Sequence, residues 1–289
     1  NYFDTSLPFQ LSFINRRSHS RSKYRVNIPP AQDSFNSVRA EFTGMLKNQI
    51  AKSNNGIERS KYITFGLPAG SIGEARPRLE RVEADVTGNL KRLGVPSEAL
   101  DGRERLALLH GQMHPGSREA FCFSWQDIPK TGMGTKDYIA PDSFDFRQSR
   151  TFRVGQYWGA ASYLQILASE LSDKLLSEIL ELDAELTVTM HVQTVDQLKA
   201  IKTVKGKLSD IGKMKVEEQR KAVRAGYDPD ILPPDLITFS KDAAELLADL
   251  QSRNERMFLL TFTVVNLAPT RQRLENHVFT VGGIAQKYN

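Results

Sequence analysis

Leu186-Thr187-Val188-Thr189-Met190-His191-Val192-Gln193 alternates apolar and polar side chains without a break. A period of two is typical of a β-strand that buries one face and leaves the other polar. This is the clearest strand pattern in the chain. The segments on either side of it decide which fold class the sequence predicts.

Two amphipathic helices are predicted after this strand. The first covers about residues 195–225 and the second about residues 235–253. The short connection between them contains Gly226 and two prolines, which favours an antiparallel helical hairpin over about 195–253. The apolar seam of the first helix is Leu198, Ile201, Val204, Leu208 and Ile211.

The remaining segments alternate between strand and helix patterns in both halves of the chain. We therefore predict an α+β protein with two lobes, each a mixed β-sheet covered by helices. The N-terminal lobe is residues 1–140, and its last part, 95–140, is an irregular connecting region that includes a short predicted strand at Phe121–Phe123. The C-terminal lobe is residues 141–289 and carries the hairpin.

Composition places few limits on function. The chain has 289 residues, of which 40% are hydrophobic and 25% charged, as in ordinary globular proteins. A single cysteine, Cys122, cannot form an internal disulfide, which fits a reducing compartment. No apolar run approaches the roughly 20 residues of a membrane span. The first residues include no initiator Met and no signal-peptide pattern, and we expect a piece of a longer protein.

The positive charge is concentrated in two segments, 16–25 and 196–225. The net charge of +5 permits an anionic partner, either nucleic acid or an anionic membrane surface, without requiring one. A solvated helix face is the simpler interpretation of 196–225, since no aromatic residues are interleaved to stack on bases. The candidate surface for an anionic partner comprises Arg16, Arg17, Arg21, Lys202, Lys205, Lys213, Lys215, Arg220 and Lys221.

Three further sequence patterns partly match catalytic or ligand-binding motifs. The glycine-rich run 132–136 lacks the spacing of a phosphate-binding loop. His110 and His114 have the separation of two zinc ligands, but Gly111 stands where zinc proteases carry the catalytic Glu. The acidic cluster 178–185 is expected to be a solvated rim. We therefore predict no catalytic, cofactor-binding or metal-binding residue in this chain.

Extended stretches of the sequence are similar to one protein family. They are 75–83, 100–106 with 108–110, 138–141 with 144–146, 200–205, 217–228, 250–258 and 284–289. Together they resemble the region before the motor domain in VirB/TrbE/CagE-type conjugative-transfer ATPases of type IV secretion systems, particularly those of Gram-positive mobile elements. The likeness covers nearly the whole chain and contains no catalytic signature.

The resemblance carries several expectations. The parent protein would be an ATPase whose nucleotide-binding motifs follow residue 289, with ATP and Mg²⁺ bound there and no cofactor bound here. The present region would be a non-catalytic docking and assembly domain, cytoplasmic and peripheral at the inner face of the membrane. Its partners would be membrane proteins of the secretion channel and other copies of the same ATPase. A nucleic-acid-binding module that uses 16–25 and 196–225 is the alternative.

Overall fold

The structure is a computed structural model that describes residues 8–17, 28–54, 57–117, 119, 121–166, 171–228, 230–253 and 255–288. Within these residues it has seven strands and eight helices. The strands are β1 (Phe9–Arg17), β2 (Ile57–Phe65), β3 (Phe144–Asp145), β4 (Phe152–Val154), β5 (Tyr157–Leu164), β6 (Glu185–Thr194) and β7 (Phe258–Ala268). The helices are α1 (Asn36–Asn54), α2 (Ile72–Arg92), α3 (Gly102–Met113), α4 (Ile128–Thr131), α5 (Asp173–Glu181), α6 (Gln197–Ala225), α7 (Pro234–Ser252) and α8 (Arg271–Tyr288).

All seven strands belong to one open antiparallel sheet in the order β2-β1-β6-β7-β5-β4-β3. The α+β class is confirmed, whereas the prediction of mixed sheets is wrong. The physical reason lies in the connection between β6 and β7. The helix pair α6–α7 returns the chain to where it left the sheet, and the Val195 N–H donates to the Met257 carbonyl oxygen at 3.2 Å. β7 can therefore run back beside β6.

The sheet core lies where β6 and β7 meet α5 and α8. Leu186 and Val188 are fully buried on the strand face that the alternation predicts, and Phe262 and Val264 of β7 lie beside them. α5 contributes Leu175 and Ile179, and α8 contributes Val281. Fully burying a Leu, Ile, Val or Phe side chain stabilises a fold by about 1.5–3 kcal/mol, so this cluster is the main apolar contribution to the sheet.

The described residues fall into two compact units. One comprises Gln10–Thr64, Val86–Met190 and Thr261–Asn289, and the other comprises Asn1–Phe9, Phe65–Asp85 and His191–Leu260, counting only the described residues of each range. Both units combine segments from the predicted lobes 1–140 and 141–289, and that division of the chain stays a prediction.

The predicted strand at 121–123 is wrong, since these residues form an irregular segment. Side-chain packing holds it in place. The Phe123 ring is buried, with Trp125 and Tyr138 packed edge-on at centroid distances of 4.8 and 5.0 Å. Apolar residues that belong to the core of a loop produce the same pattern as a short buried strand.

The apolar seam of α6 also differs from its prediction. Leu198 is 78% exposed, and Ala200 is fully buried where α6 meets α7. Val204 and Leu250 complete this buried cluster, with Leu208 packed against it.

Candidate functional site

Helix α6 carries most of the residues that the sequence nominates for an anionic partner. Asp196 caps its start by accepting from the Lys199 N–H at 3.0 Å, and Gly226 ends it in the left-handed region at φ 78°. Between these caps lie nine lysines and arginines and three acids, a net charge of +6.

α6 packs along α7, and the two helices run in opposite directions. Gln197 at the start of α6 donates from Nε2 to the Leu250 carbonyl oxygen near the end of α7, at 2.6 Å. Further along, Lys215 donates from Nζ to Ser240 Oγ, near the start of α7, at 2.8 Å. Lys215 therefore faces α7 and is not part of a free basic surface, contrary to its nomination.

The first half of α6 presents cations to solvent. Lys202 and Lys205 are exposed, as are Lys199 and Lys207. None of these four makes an ion pair with the described residues. Their charges are therefore available to an anionic partner.

The second half of α6 is partly neutralised by its own acids. Lys213 Nζ lies 3.1 Å from Asp210 Oδ1, and Lys221 Nζ lies 2.6 Å from Glu218 Oε1. The hydrogen bond that the Lys221 ammonium donates to the Glu218 carboxylate raises the pKa of Lys221. These solvent-exposed pairs within one helix contribute little to stability, and they reduce the positive field available to a partner.

A groove of about 430 Å³ lies at the end of α6. Val216 and Val223 form its apolar part, while Arg220, Arg224 and Asp230 form its polar part. The two arginines have no ion-pair partner among the described residues. Arg220 is thus one of the nominated residues that remains free.

The nominated residues outside α6 have other contacts. Arg17 Nη2 lies 3.1 Å from Asp183 Oδ1, and the Arg16 guanidinium lies directly over Gly111 of α3, where any β-carbon would collide with it. Arg21 lies outside the described residues. Arg16 and Arg17 belong to the unit that does not contain α6.

α7 has the opposite charge, a feature that the sequence reasoning missed. It carries four acids and one lysine, a net charge of −3, and the acids are Asp235, Asp242, Glu245 and Asp249. Asp235 and Asp242 are exposed and have no ion-pair partner among the described residues. Counting charge helix by helix would have revealed this.

The two histidines at the spacing of zinc ligands stack on each other and hydrogen-bond to the backbone. The His110 and His114 rings stack at a centroid distance of 4.0 Å. His110 donates from Nδ1 to the Tyr138 carbonyl oxygen at 2.9 Å, and His114 from Nδ1 to the His110 carbonyl oxygen at 3.0 Å. In the part of the chain that the structure describes, no three His, Cys, Asp or Glu residues are grouped to hold a metal ion.

In the glycine-rich run 132–136, a backbone N–H already binds a neighbouring side chain. The Gly134 N–H donates to Asp137 Oδ2 at 2.7 Å, so a carboxylate already sits where a phosphate oxygen would bind. Residues 135–139 form turns, without the helix N-terminus that a phosphate cradle needs.

The acidic cluster 178–185 is divided among several partners. Glu178 pairs with Lys287 at 2.7 Å, and Asp183 pairs with Arg17. Glu185 is buried at the start of β6, so the expectation of a solvated rim is wrong at this position. Burial, reinforced by the Glu185 charge, raises the pKa of the Tyr157 hydroxyl.

Comparison with known proteins gives no match to this chain, either among protein-family models or among curated proteins. None of the helices that the structure describes is both long and apolar enough to cross a bilayer.

Proposed function

We propose that this chain is the non-catalytic docking and assembly domain of a conjugative DNA-transfer ATPase of a type IV secretion system. It would link a C-terminal motor, which binds ATP and Mg²⁺, to membrane proteins of the channel and to neighbouring subunits. Its place would be cytoplasmic, peripheral at the inner face of the membrane. The extended resemblance described above supports the family assignment.

The observation that carries the docking role is an apolar stripe on α1 that the described residues of the chain leave exposed. Phe35, just before the helix, and Val38, Phe42 and Met45 are between 47% and 61% exposed. Their spacing of three and four residues places them on one helix face. Amphipathic helices of globular proteins ordinarily turn such a stripe toward the core, and a contiguous exposed patch marks a contact with another protein.

The α6–α7 pair supports the same role as the projecting helical hairpin of the proposed C-terminal lobe. Its outer surface exposes Ile237, Phe239 and Leu246 in addition to the charges described above. Protein interfaces combine an apolar centre with a polar rim, and large apolar side chains next to charged ones have this composition.

The test is to replace Phe35, Val38 and Phe42 with serine in the full-length protein and to measure conjugative transfer. The proposal predicts a drop in transfer of about 100-fold, since buried aromatic contacts dominate interface affinity. Circular dichroism should be unchanged. The matched control replaces Phe279 and Ile72, which lie outside α1 and are 84% and 85% exposed, with serine. Docking through α1 would be ruled out if the α1 variant transferred DNA as efficiently as the control variant.

The alternative function, nucleic-acid binding, is favoured by one observation, the four unpaired lysines in the first half of α6. Each phosphate contact makes affinity depend on salt, with a slope of about −0.7 per contact for a single strand. Lys202→Glu with Lys205→Glu should then abolish binding to a labelled single-stranded oligonucleotide. Binding that ignores salt, or survives these changes, excludes this alternative.

A further inference from the structure

The charge asymmetry of the α6–α7 pair has a regular arrangement. α6 carries +6 and α7 carries −3, although they are consecutive helices packed against each other. Both also expose apolar side chains that the packing between them leaves uncovered. Each helix therefore has a second stripe, apart from its buried seam.

The second stripe of α6 is basic and follows a spacing of four and three residues. It leads with an exposed leucine and two unpaired lysines, continues through small residues, and ends in exposed valines. Its members are Leu198, Lys202, Lys205, Ser209, Gly212, Val216, Gln219 and Val223. This alternation of four and three residues is the spacing of the seams that coiled-coil helices present to each other, and here the stripe is about 38 Å long.

The second stripe of α7 has the same spacing and alternates acidic with apolar residues. Asp235, Phe239, Asp242, Leu246 and Asp249 lie on it in that order. Phe239 is 59% exposed and Leu246 is 43% exposed. Asp249 is paired with Arg253 at 3.0 Å, whereas Asp235 and Asp242 have no partner among the described residues. The stripe is about 21 Å long.

The two stripes face opposite sides of the helix pair. With about 100° of rotation per residue, the α6 stripe lies about 100° beyond the α6 seam, and the α7 stripe about 100° before the α7 seam. Because the helices run in opposite directions, these rotations carry the stripes to opposite faces. The basic stripe of α6 lies on one face of the pair, and the acidic stripe of α7 lies on the other.

We propose that copies of this chain associate head to tail, with the α6 stripe of one copy packed on the α7 stripe of the next. Charge complementarity identifies the occupant: Lys202 and Lys205 meet carboxylates, and the small Ser209 and Gly212 leave room for Phe239. An α6–α6 contact would oppose like charges. Such a contact is heterologous, so each copy keeps one stripe of each kind for a further neighbour. The inference deepens the assembly role proposed above.

The experiment is sedimentation velocity of the purified chain at about 1–100 μM. Association should increase with concentration, and it should weaken between about 50 mM and 500 mM salt, because exposed charges are screened. Three variants are compared with it: Lys202→Glu with Lys205→Glu, Asp235→Lys with Asp242→Lys, and all four changes together. Each of the first two makes both stripes carry the same sign and should weaken self-association by about tenfold or more.

The decisive results come from restoring the complementarity. An equimolar mixture of the two double variants, and the fourfold variant alone, should associate as the original chain does. The control is Lys199→Glu with Lys207→Glu, the same charge change on exposed lysines outside the stripe, which should have no effect. A chain that stays monomeric throughout, or double variants that fail to complement each other, would overturn the proposal.

The outcome is separable from that of the proposed function. Self-association is measured with one purified component, and its failure leaves docking through α1 untouched. Conversely, transfer that survives the α1 changes removes the docking role and leaves a self-associating chain. Loss of oligonucleotide binding without loss of association would identify a nucleic acid as the ligand of the lysines and contradict the head-to-tail contact.

Discussion

Lys215 Nζ donates to Ser240 Oγ at 2.8 Å, joining the middle of α6 to the first half of α7. A lysine that the charge pattern nominates for an external partner is therefore committed to an internal contact. This contact distinguishes residues that hold the helix pair together from residues that are free to bind something else.

The first prediction concerns this hydrogen bond. Ser240→Ala leaves the Lys215 ammonium without its acceptor in a partly buried position, and a net cost of about 0.5–1.5 kcal/mol in the free energy of unfolding is expected. Urea denaturation measures it. Ser209→Ala, an exposed serine on α6, should change stability by less than about 0.5 kcal/mol. Equal effects of the two changes would mean that the bond does not stabilise the pair.

The second prediction tests the buried seam. Val204 is 5% exposed between α6 and α7. Val204→Ala removes two methyl groups and leaves a cavity, so about 2 kcal/mol of stability should be lost. Val223→Ala, on the exposed stripe of the same helix, should cost less than about 0.5 kcal/mol. Both are measured by urea denaturation at low protein concentration. A larger loss at Val223 would contradict the assignment of seam and stripe.

The third prediction concerns a polar side chain inside the sheet core. Asn266 of β7 is fully buried, and neither of its amide atoms has a hydrogen-bond partner among the described residues. An apolar group of the same shape removes the desolvation penalty, so Asn266→Leu should raise the midpoint of thermal unfolding and stabilise by about 1–3 kcal/mol. Asn276→Leu, exposed on α8, is the control. A strongly destabilised Asn266→Leu variant would show that Asn266 has a partner.

The fourth prediction is a pH dependence. Hydrogen bonds from Lys287 and then Tyr288 lower the pKa of Glu178, and Glu178 raises the pKa of Lys287. Because the folded-state pKa of Glu178 is below its unfolded value, its stabilisation is present above the unfolded pKa of about 4.3 and disappears as pH falls through the folded pKa. For Lys287 the stabilisation disappears as pH rises through its raised folded pKa.

Glu178→Gln should therefore be less stable than the original chain near neutral pH, and the difference should shrink in acid. Unfolding curves between about pH 3 and pH 8 measure this. Glu181→Gln, on the same helix and without an ion-pair partner among the described residues, should show no such trend. A difference between the original chain and Glu178→Gln that is independent of pH would contradict the ion pair.

The sequence predicted elements with a strong period and missed features that depend on a distant part of the chain. Leu186 and Val188 are buried as their alternation indicates, because the alternation within a single strand distinguishes its apolar face from its polar face. The pattern of α1 identifies Phe35, Val38 and Phe42 as one face, but no local pattern tells whether the same molecule covers that face. The antiparallel sheet was missed because strand order depends on where the α6–α7 pair returns the chain.

The cations nominated for an anionic partner differ in their contacts. Lys202, Lys205 and Arg220 are exposed and have no ion-pair partner among the described residues, whereas Lys213 and Lys221 pair with acids three residues away. Lys215 follows Ile211 by four residues and so continues the spacing of the predicted seam, which already placed it on the side of α7 where its ammonium donates to Ser240. The acidic stripe of α7 was missed, although the four acids and one lysine of that helix are visible in the sequence.

We propose that this chain is the pre-motor domain of a transfer ATPase, and the coding sequence after the codon for Asn289 is the sharpest test of that assignment. We expect an open reading frame that encodes a strand followed by GxxxxGK[ST] and a helix, the phosphate-binding loop of the motor. A stop codon directly after Asn289, or a continuation without that motif, would contradict it.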